Sequence, residues 1–161
     1  MKAEPEFNFP DLVKELNKEH IRYILIGRQA LILYGAPLLS FDYDLWVHPD
    51  DRKKLLQYLV NIKNFEITRD ISDPSPICTV FAGTEKVDLF FNKTITNLES
   101  ETIDFEVSYN NAIKIRDDSD PDFLIRIPSI EDLVKLKKLR ARNMKDEEDI
   151  KYLLSIKSLE K

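Results

Sequence analysis

The segment Phe41-Asp42-Tyr43-Asp44-Leu45-Trp46-Val47 alternates without a break, and a period of two is the signature of an extended strand with unlike faces. Phe41, Tyr43, Leu45 and Val47 fall on one side, and Asp42, Asp44 and Trp46 on the other. Asp42 and Asp44 are therefore expected side by side, about 7 Å apart along the chain. Two ionised carboxylates so placed repel each other unless water or a cation lies between them. A second strand-like run, Lys86 to Phe91, puts Val87, Leu89 and Phe91 on its apolar side and leaves Lys86 and Asp88 on the polar one. If the two strands are neighbours, three carboxylates converge, and such an oxygen-only set suits Mg²⁺ or Mn²⁺ rather than zinc. Taken alone, the alternation also fits the solvated face of an edge strand.

The remaining chain supplies the elements around these strands. Leu12, Val13 and Leu16 after Pro10 predict a short opening helix, and Ile21 to Ile26 reads as a buried strand ending at Gly27. A helix follows from about Arg28 to Tyr34, stopped by Gly35. Pro49 and Asp50 open another helix, with Leu55, Leu56, Leu59 and Val60 as one apolar stripe. Phe65 to Thr68, Ile77 to Phe81 and Lys86 to Phe91 read as strands, the last two as a hairpin around Ala82-Gly83-Thr84. Between about Ile103 and Ile127 the periodicity is weak, and further strands or irregular segments are expected. Ser129 with Asp132 resembles an N-terminal cap for a helix reaching about Arg142, and Lys145 to Leu159 reads as a second helix with its acids in the first turn. The expectation is one α+β domain over residues 1–161, an α/β core to residue 128 closed by a C-terminal helical pair.

Composition narrows the setting. A single cysteine, Cys78, excludes an internal disulfide, and its apolar neighbours make it a buried thiol; His20 and His48 are isolated and read as surface or loop residues. No stretch approaches the length and apolarity of a membrane span or an export signal, so a cytoplasmic location is expected, with no membrane partner. The formal net charge of −5 speaks against non-specific nucleic-acid binding over the whole surface. A local basic face remains in Lys135, Lys137, Lys138, Arg140, Arg142 and Lys145, beside the acidic stretch Asp146 to Asp149.

The block from Tyr23 through Gly27-Arg28-Gln29 to Gly35, then Pro37, Ser40 and Asp42-Tyr43-Asp44, resembles the signature of the polymerase-beta-like nucleotidyltransferase superfamily. Val87-Asp88-Leu89 is similar to the third carboxylate strand of that family. The tail from Ile130 through Lys137, Lys138 and Lys145 is similar to that of its stand-alone bacterial and archaeal members, including those of toxin–antitoxin and abortive-infection systems. The resemblance implies a mixed β-sheet flanked by helices, and a reaction in which a nucleoside monophosphate moves from a nucleoside triphosphate to an acceptor: tRNA, a protein hydroxyl or a small molecule. It implies that Asp42, Asp44 and Asp88 hold Mg²⁺ or Mn²⁺. It further implies that Gly27, Arg28, Ser40, Lys137, Lys138 and Lys145 attend the nucleotide, and that a cognate toxin or antitoxin protein is a partner. Two positions depart from the signature: Arg28 stands where a second Gly or a Ser is usual, and Leu38 replaces an Arg. The alternative turns on them: a catalytically silent relative that binds a nucleotide or a protein. If Arg28 pairs with Asp42 or Asp44 the silent reading gains; if it folds elsewhere the transferase reading survives. A metal-dependent glycosyltransferase also uses paired aspartates, but needs a larger sugar-nucleotide domain than this chain contains.

Overall fold

A computed structural model describes residues 7–139 and 143–159. Its centre is a five-stranded sheet of β1 (Tyr23–Ile26), β2 (Tyr43–Val47), β3 (Glu66–Ile67), β4 (Ile77–Ala82) and β5 (Glu85–Phe90), in the order β1-β2-β5-β4-β3. All pairings are antiparallel except β2 with β5, which is parallel and sets Asp44 opposite Asp88. A parallel pair requires a crossover. Here it consists of a 3₁₀ turn at Pro49–Asp51, α3 (Arg52–Gln57), a wider π turn at Tyr58–Ile62, and β3 and β4. Leu55, Leu56 and Leu59 on this crossover are buried, as the apolar stripe predicts.

The opening helix, α1 (Phe9–Lys18), starts where the Asn8 side chain accepts the backbone N–H of Asp11 at 3.1 Å, with Pro10 in its first turn, and buries Leu12, Val13 and Leu16. β1 is shorter than the apolar run suggests. All four of its residues are buried, so it is covered on both faces, which explains why the run is continuous rather than alternating. The chain turns directly from β1 into α2 (Gly27–Leu33), and Gly35, at φ +95°, follows its end. The hairpin of β4 and β5 forms around Gly83 as expected, and Cys78 on it is buried.

Residues 94–127 hold more regular structure than their weak periodicity indicates. β6 (Thr94–Thr96) pairs with β7 (Thr102–Asp104), and β8 (Ile113–Asp117) pairs with β9 (Asp120–Ile127). Between the two hairpins lies α4 (Phe105–Asn111), a helix the sequence reading lacks, capped by the Asp104 carboxylate accepting the N–H of Val107. β9 lies against α1 and β1. Asn17 donates to the Leu124 carbonyl at 2.7 Å, and the Lys14 ammonium meets Asp120 at 2.8 Å.

The C-terminal pair is α5 (Ile130–Leu136) and α6 (Met144–Leu159), with Ser129 capping α5 by accepting the N–H of Asp132. α5 ends at Leu136, short of the expected Arg142. Its last turn tightens as Lys138 donates to the Lys135 carbonyl, and the Lys138 carbonyl leaves the helix to accept the N–H of Leu98. Arg140 and Arg142 of the basic face lie outside the described residues. No described helix is long and apolar enough to cross a membrane.

Candidate functional site

The two faces of β2 do not divide as the alternation suggests. Trp46 shares a face with Asp44 yet is fully buried, packing edge-on against Phe105 of α4 at 5.3 Å and donating its indole N–H to the Asn92 carbonyl at 2.7 Å. Phe41, on the expected apolar side, is 76% exposed, because β2 begins only at Tyr43. His48 lies in a loop, between β2 and the 3₁₀ turn, as one of the two expected placements has it, but not at the surface. It is 6% exposed, its ring edge meets Phe105, and its Nδ1 accepts the N–H of Asp50 to start the crossover.

One row of side chains crosses four strands in register: Ile26 on β1, Asp44 on β2, Asp88 on β5 and Thr79 on β4. Ile26, Asp44 and Asp88 of this row form the floor of a cleft of about 480 Å³ whose other wall comes from α5, Leu139, Asn143 and α6. Gly27, Arg28, Ser40, Asp42, Asp44, Asp88, Lys137 and Lys145 all line it, so eight of the nine positions selected from sequence come together. The ninth, Lys138, does not; its ammonium reaches outward to Glu99 at 3.0 Å. The cleft also has an apolar wall of Phe90, Leu133, Leu136 and Leu139, which the search for charged motifs missed.

The two strand carboxylates are held differently. Asp88 accepts a 2.6 Å hydrogen bond from the Thr79 hydroxyl, with the Lys86 ammonium 3.7 Å from its other oxygen. Asp44 lies directly over Gly27, where no Cβ fits between the backbone and the Asp44 Oδ2. Gly27 also has φ +74°, a conformation that L side chains rarely adopt, so only glycine meets both conditions there. Burial, then the charges of Asp88 and Asp42, push the Asp44 carboxyl up to about 6 against the partial relief of Lys86 and Lys137. Asp42 precedes β2 and is exposed, and its N–H is taken by the Ser40 hydroxyl at 3.3 Å. Ser40 thus shapes the approach to Asp42.

Among the described residues no three Asp, Glu, His or Cys side chains are gathered into a ready cage for a metal ion. The threefold convergence expected from sequence is realised as an in-register pair, Asp44 and Asp88, with Asp42 at the rim. This donor set still fits a hard divalent cation: it is all oxygen, and the Asp44 carboxyl, raised first by burial and then by the charges of Asp88 and Asp42, has neighbouring negative charge that a cation would offset.

The raised carboxyl carries a stability prediction. Asp44 binds its proton more tightly folded than unfolded, so its contribution falls as pH rises from about 4 to about 6 and stays low above that. Without added metal, Asp44→Asn is expected to be more stable than wild type at pH 7, on the order of 1–3 kcal/mol. The gap should shrink as the pH is lowered towards 4. Thermal melts of both proteins across that range check it, and an Asn variant less stable at pH 7 contradicts it.

Arg28 does not pair with Asp42 or Asp44. Its Nη2 is 3.5 Å from Oδ1 of Asp149 on α6, and the Lys137 ammonium is 2.9 Å from Oδ2 of the same residue. α2 is only seven residues long, so the attraction of this end of the cleft for anions rests on Arg28, Lys137 and Lys145 more than on a helix dipole.

No family model matches the chain, and no curated protein matches it in sequence. Among solved structures, it is similar to the lincosamide antibiotic adenylyltransferase LnuA in its lincomycin-bound form. The identity is 20%, over 91% of this chain and 94% of that one, with a TM-score of 0.64. It is also similar to the antibiotic-resistance factor ANT(2'')-Ia, at 12% identity over 90% of this chain and 80% of that one, with a TM-score of 0.58. At these identities the shared property is the fold, and the α+β nucleotidyltransferase fold expected from the signature is the one observed.

Proposed function

We propose that the protein is a metal-dependent nucleotidyltransferase that moves a nucleoside monophosphate from a nucleoside triphosphate, ATP by preference, to a small-molecule acceptor. The observation that carries this reading is the in-register pair of Asp44 and Asp88 on the floor of a cleft faced by Arg28, Lys137 and Lys145. Its volume of about 480 Å³ lies in the range of sites for molecules of nucleotide size. Asp44 and Asp88, joined by Asp42 from the rim, would hold Mg²⁺ or Mn²⁺. When bound, the metal would neutralise triphosphate charge and lower the pKa of the acceptor hydroxyl.

The chain's own groups divide the remaining work. Gly27 keeps the backbone low beneath Asp44, the cations attract the polyphosphate, and Thr79 fixes the rotamer of Asp88. Leu133, Leu136, Leu139 and Phe90 offer the uncharged parts of nucleotide and acceptor a dry surface. A small molecule is preferred over tRNA or a protein hydroxyl because the cleft is part apolar and the chain is acidic overall, and because similarity extends to LnuA with lincomycin bound. In this reading residues 1–161 act as one domain in the cytoplasm, with the C-terminal helices as the upper wall. A macromolecular acceptor would bring back the toxin–antitoxin setting and its protein partner.

The second reading, a silent relative that only binds, drew its support from the bulk of Arg28. The turn of that side chain to Asp149 leaves both strand carboxylates clear of it. Calorimetric titration of each of the four common nucleoside triphosphates with Mg²⁺, with the Asp42→Asn, Asp44→Asn double variant as control, tests the site, and labelled-nucleotide transfer to small-molecule acceptors separates the two readings. Transfer activity requires metal-dependent binding that weakens at least about 30-fold in the variant. Absence of binding by all four triphosphates would leave the silent reading.

A further inference from the structure

The side chain of Asp149 is 5% exposed, in the middle of α6, on the face that also buries Ile150 and Leu153. A carboxylate in that position is costly unless it is paired, and its two partners come from different elements: Arg28 from α2 and Lys137 at the end of α5. Both partners line the cleft. The Arg28 Nε is buried and has no hydrogen-bond partner, so the guanidinium is held at the wall with a donor still to satisfy. A polyphosphate oxygen would meet the exposed third of the Arg28 side chain rather than this closed Nε.

Resting on the nucleotidyl-transfer reading of the cleft, we infer that Asp149 is a positioning residue, which holds the Arg28 and Lys137 cations at the polyphosphate end. Lysine and arginine side chains have many rotamers, and ordering two of them when the ligand arrives would weaken binding. A single buried carboxylate, accepting from Arg28 at 3.5 Å and ion-paired with Lys137 at 2.9 Å, orders them beforehand. α6 fixes the carboxylate in turn: Ile150 and Leu153 anchor the helix in the core, and the Tyr152 hydroxyl donates to the Tyr34 carbonyl beyond α2 at 3.0 Å. The C-terminal helix thereby takes part in binding through Asp149 as well as through Lys145, which lines the cleft itself.

The test is a thermodynamic cycle on the full chain, with inorganic tripolyphosphate and Mg²⁺ as the probe, read by calorimetry beside thermal melts. Asp149→Asn is expected to weaken tripolyphosphate binding about tenfold. In an Arg28→Met, Lys137→Met background, the same substitution should change binding less than about twofold, because the groups it acts through are gone. A purely structural role would lower the melting temperature and weaken binding equally in both backgrounds, and that result overturns the inference. So does an Asp149→Asn variant that binds as tightly as wild type or more tightly. If Asp149→Asn does not fold, Asp149→Glu, which keeps the charge and displaces it, enters the same cycle under the same criteria. Wild-type protein that binds neither tripolyphosphate nor MgATP overturns the cleft reading and this inference together. Wild-type binding with a failed cycle overturns the role of Asp149 alone.

Discussion

Asp88→Asn is expected to slow nucleotidyl transfer about 10³-fold, roughly 4 kcal/mol of transition-state stabilisation, without lowering the melting temperature. The substitution keeps the shape and one acceptor oxygen, so the Thr79 hydroxyl at 2.6 Å retains its partner and the β4–β5 pairing is undisturbed. It removes a negative charge, and with it both the repulsion on Asp44 and the second oxygen a divalent cation would use. Activity and stability should therefore separate. Initial rates of labelled-nucleotide transfer, measured beside a thermal melt, decide the matter. A folded Asp88→Asn variant within about tenfold of wild-type activity would remove Asp88 from the reaction. Thr79→Val, which leaves the charge and releases the rotamer, should cost a smaller factor, about 10-fold.

Gly27→Ala is expected to damage both fold and function. The new Cβ would collide with Oδ2 of Asp44, and the backbone at φ +74° would be strained by about 1–2 kcal/mol even with the collision relieved. A total loss of about 2–4 kcal/mol is expected, with nucleotide binding weakened more than tenfold as Asp44 is pushed from the row it shares with Asp88. The two causes separate in a double variant. Adding Asp44→Ala to Gly27→Ala removes the collision and should recover the part of the stability not due to backbone strain, while recovering no transfer activity. If Asp44→Ala raises stability no more in the Gly27→Ala background than in wild type, the contact between Gly27 and Asp44 is not what demands glycine.

The legible part of this site was the part written in short-range periodicity. Asp44 and Asp88 each stand in a strand whose alternation assigns them a face, and Gly83 marks the turn from which the Asp88 strand begins. What alternation does not encode is which stretch of a face is covered. Asp44 and Trp46 share one side of β2, yet the first borders the cleft and the second lies under α4, because the helix covers only that end of the strand. α4 itself was illegible, since a seven-residue helix depends on its Asp104 cap and the burial of Phe105 more than on a repeating stripe. Asp149 was read as one acid among several in the first turn of the second C-terminal helix. Its meaning depends on Arg28 and Lys137, far away in sequence, and pairing across such distances leaves no local pattern.

The one parallel pairing in the sheet also bears on how the chain folds. Asp44 and Asp88 become neighbours only when β5 docks beside β2, and the whole crossover between them must close before that contact forms. The β4–β5 hairpin can form from its own turn, and the β1–β2 pair from a short excursion through α2, but neither half brings Asp44 beside Asp88. A chain caught between those stages has Asp42 and Asp44 in one half and Asp88 in the other, and holds a divalent cation more weakly than the completed site. Cation binding should therefore favour the completed sheet over every partly folded form, raising the unfolding temperature while leaving the early steps of folding as they are.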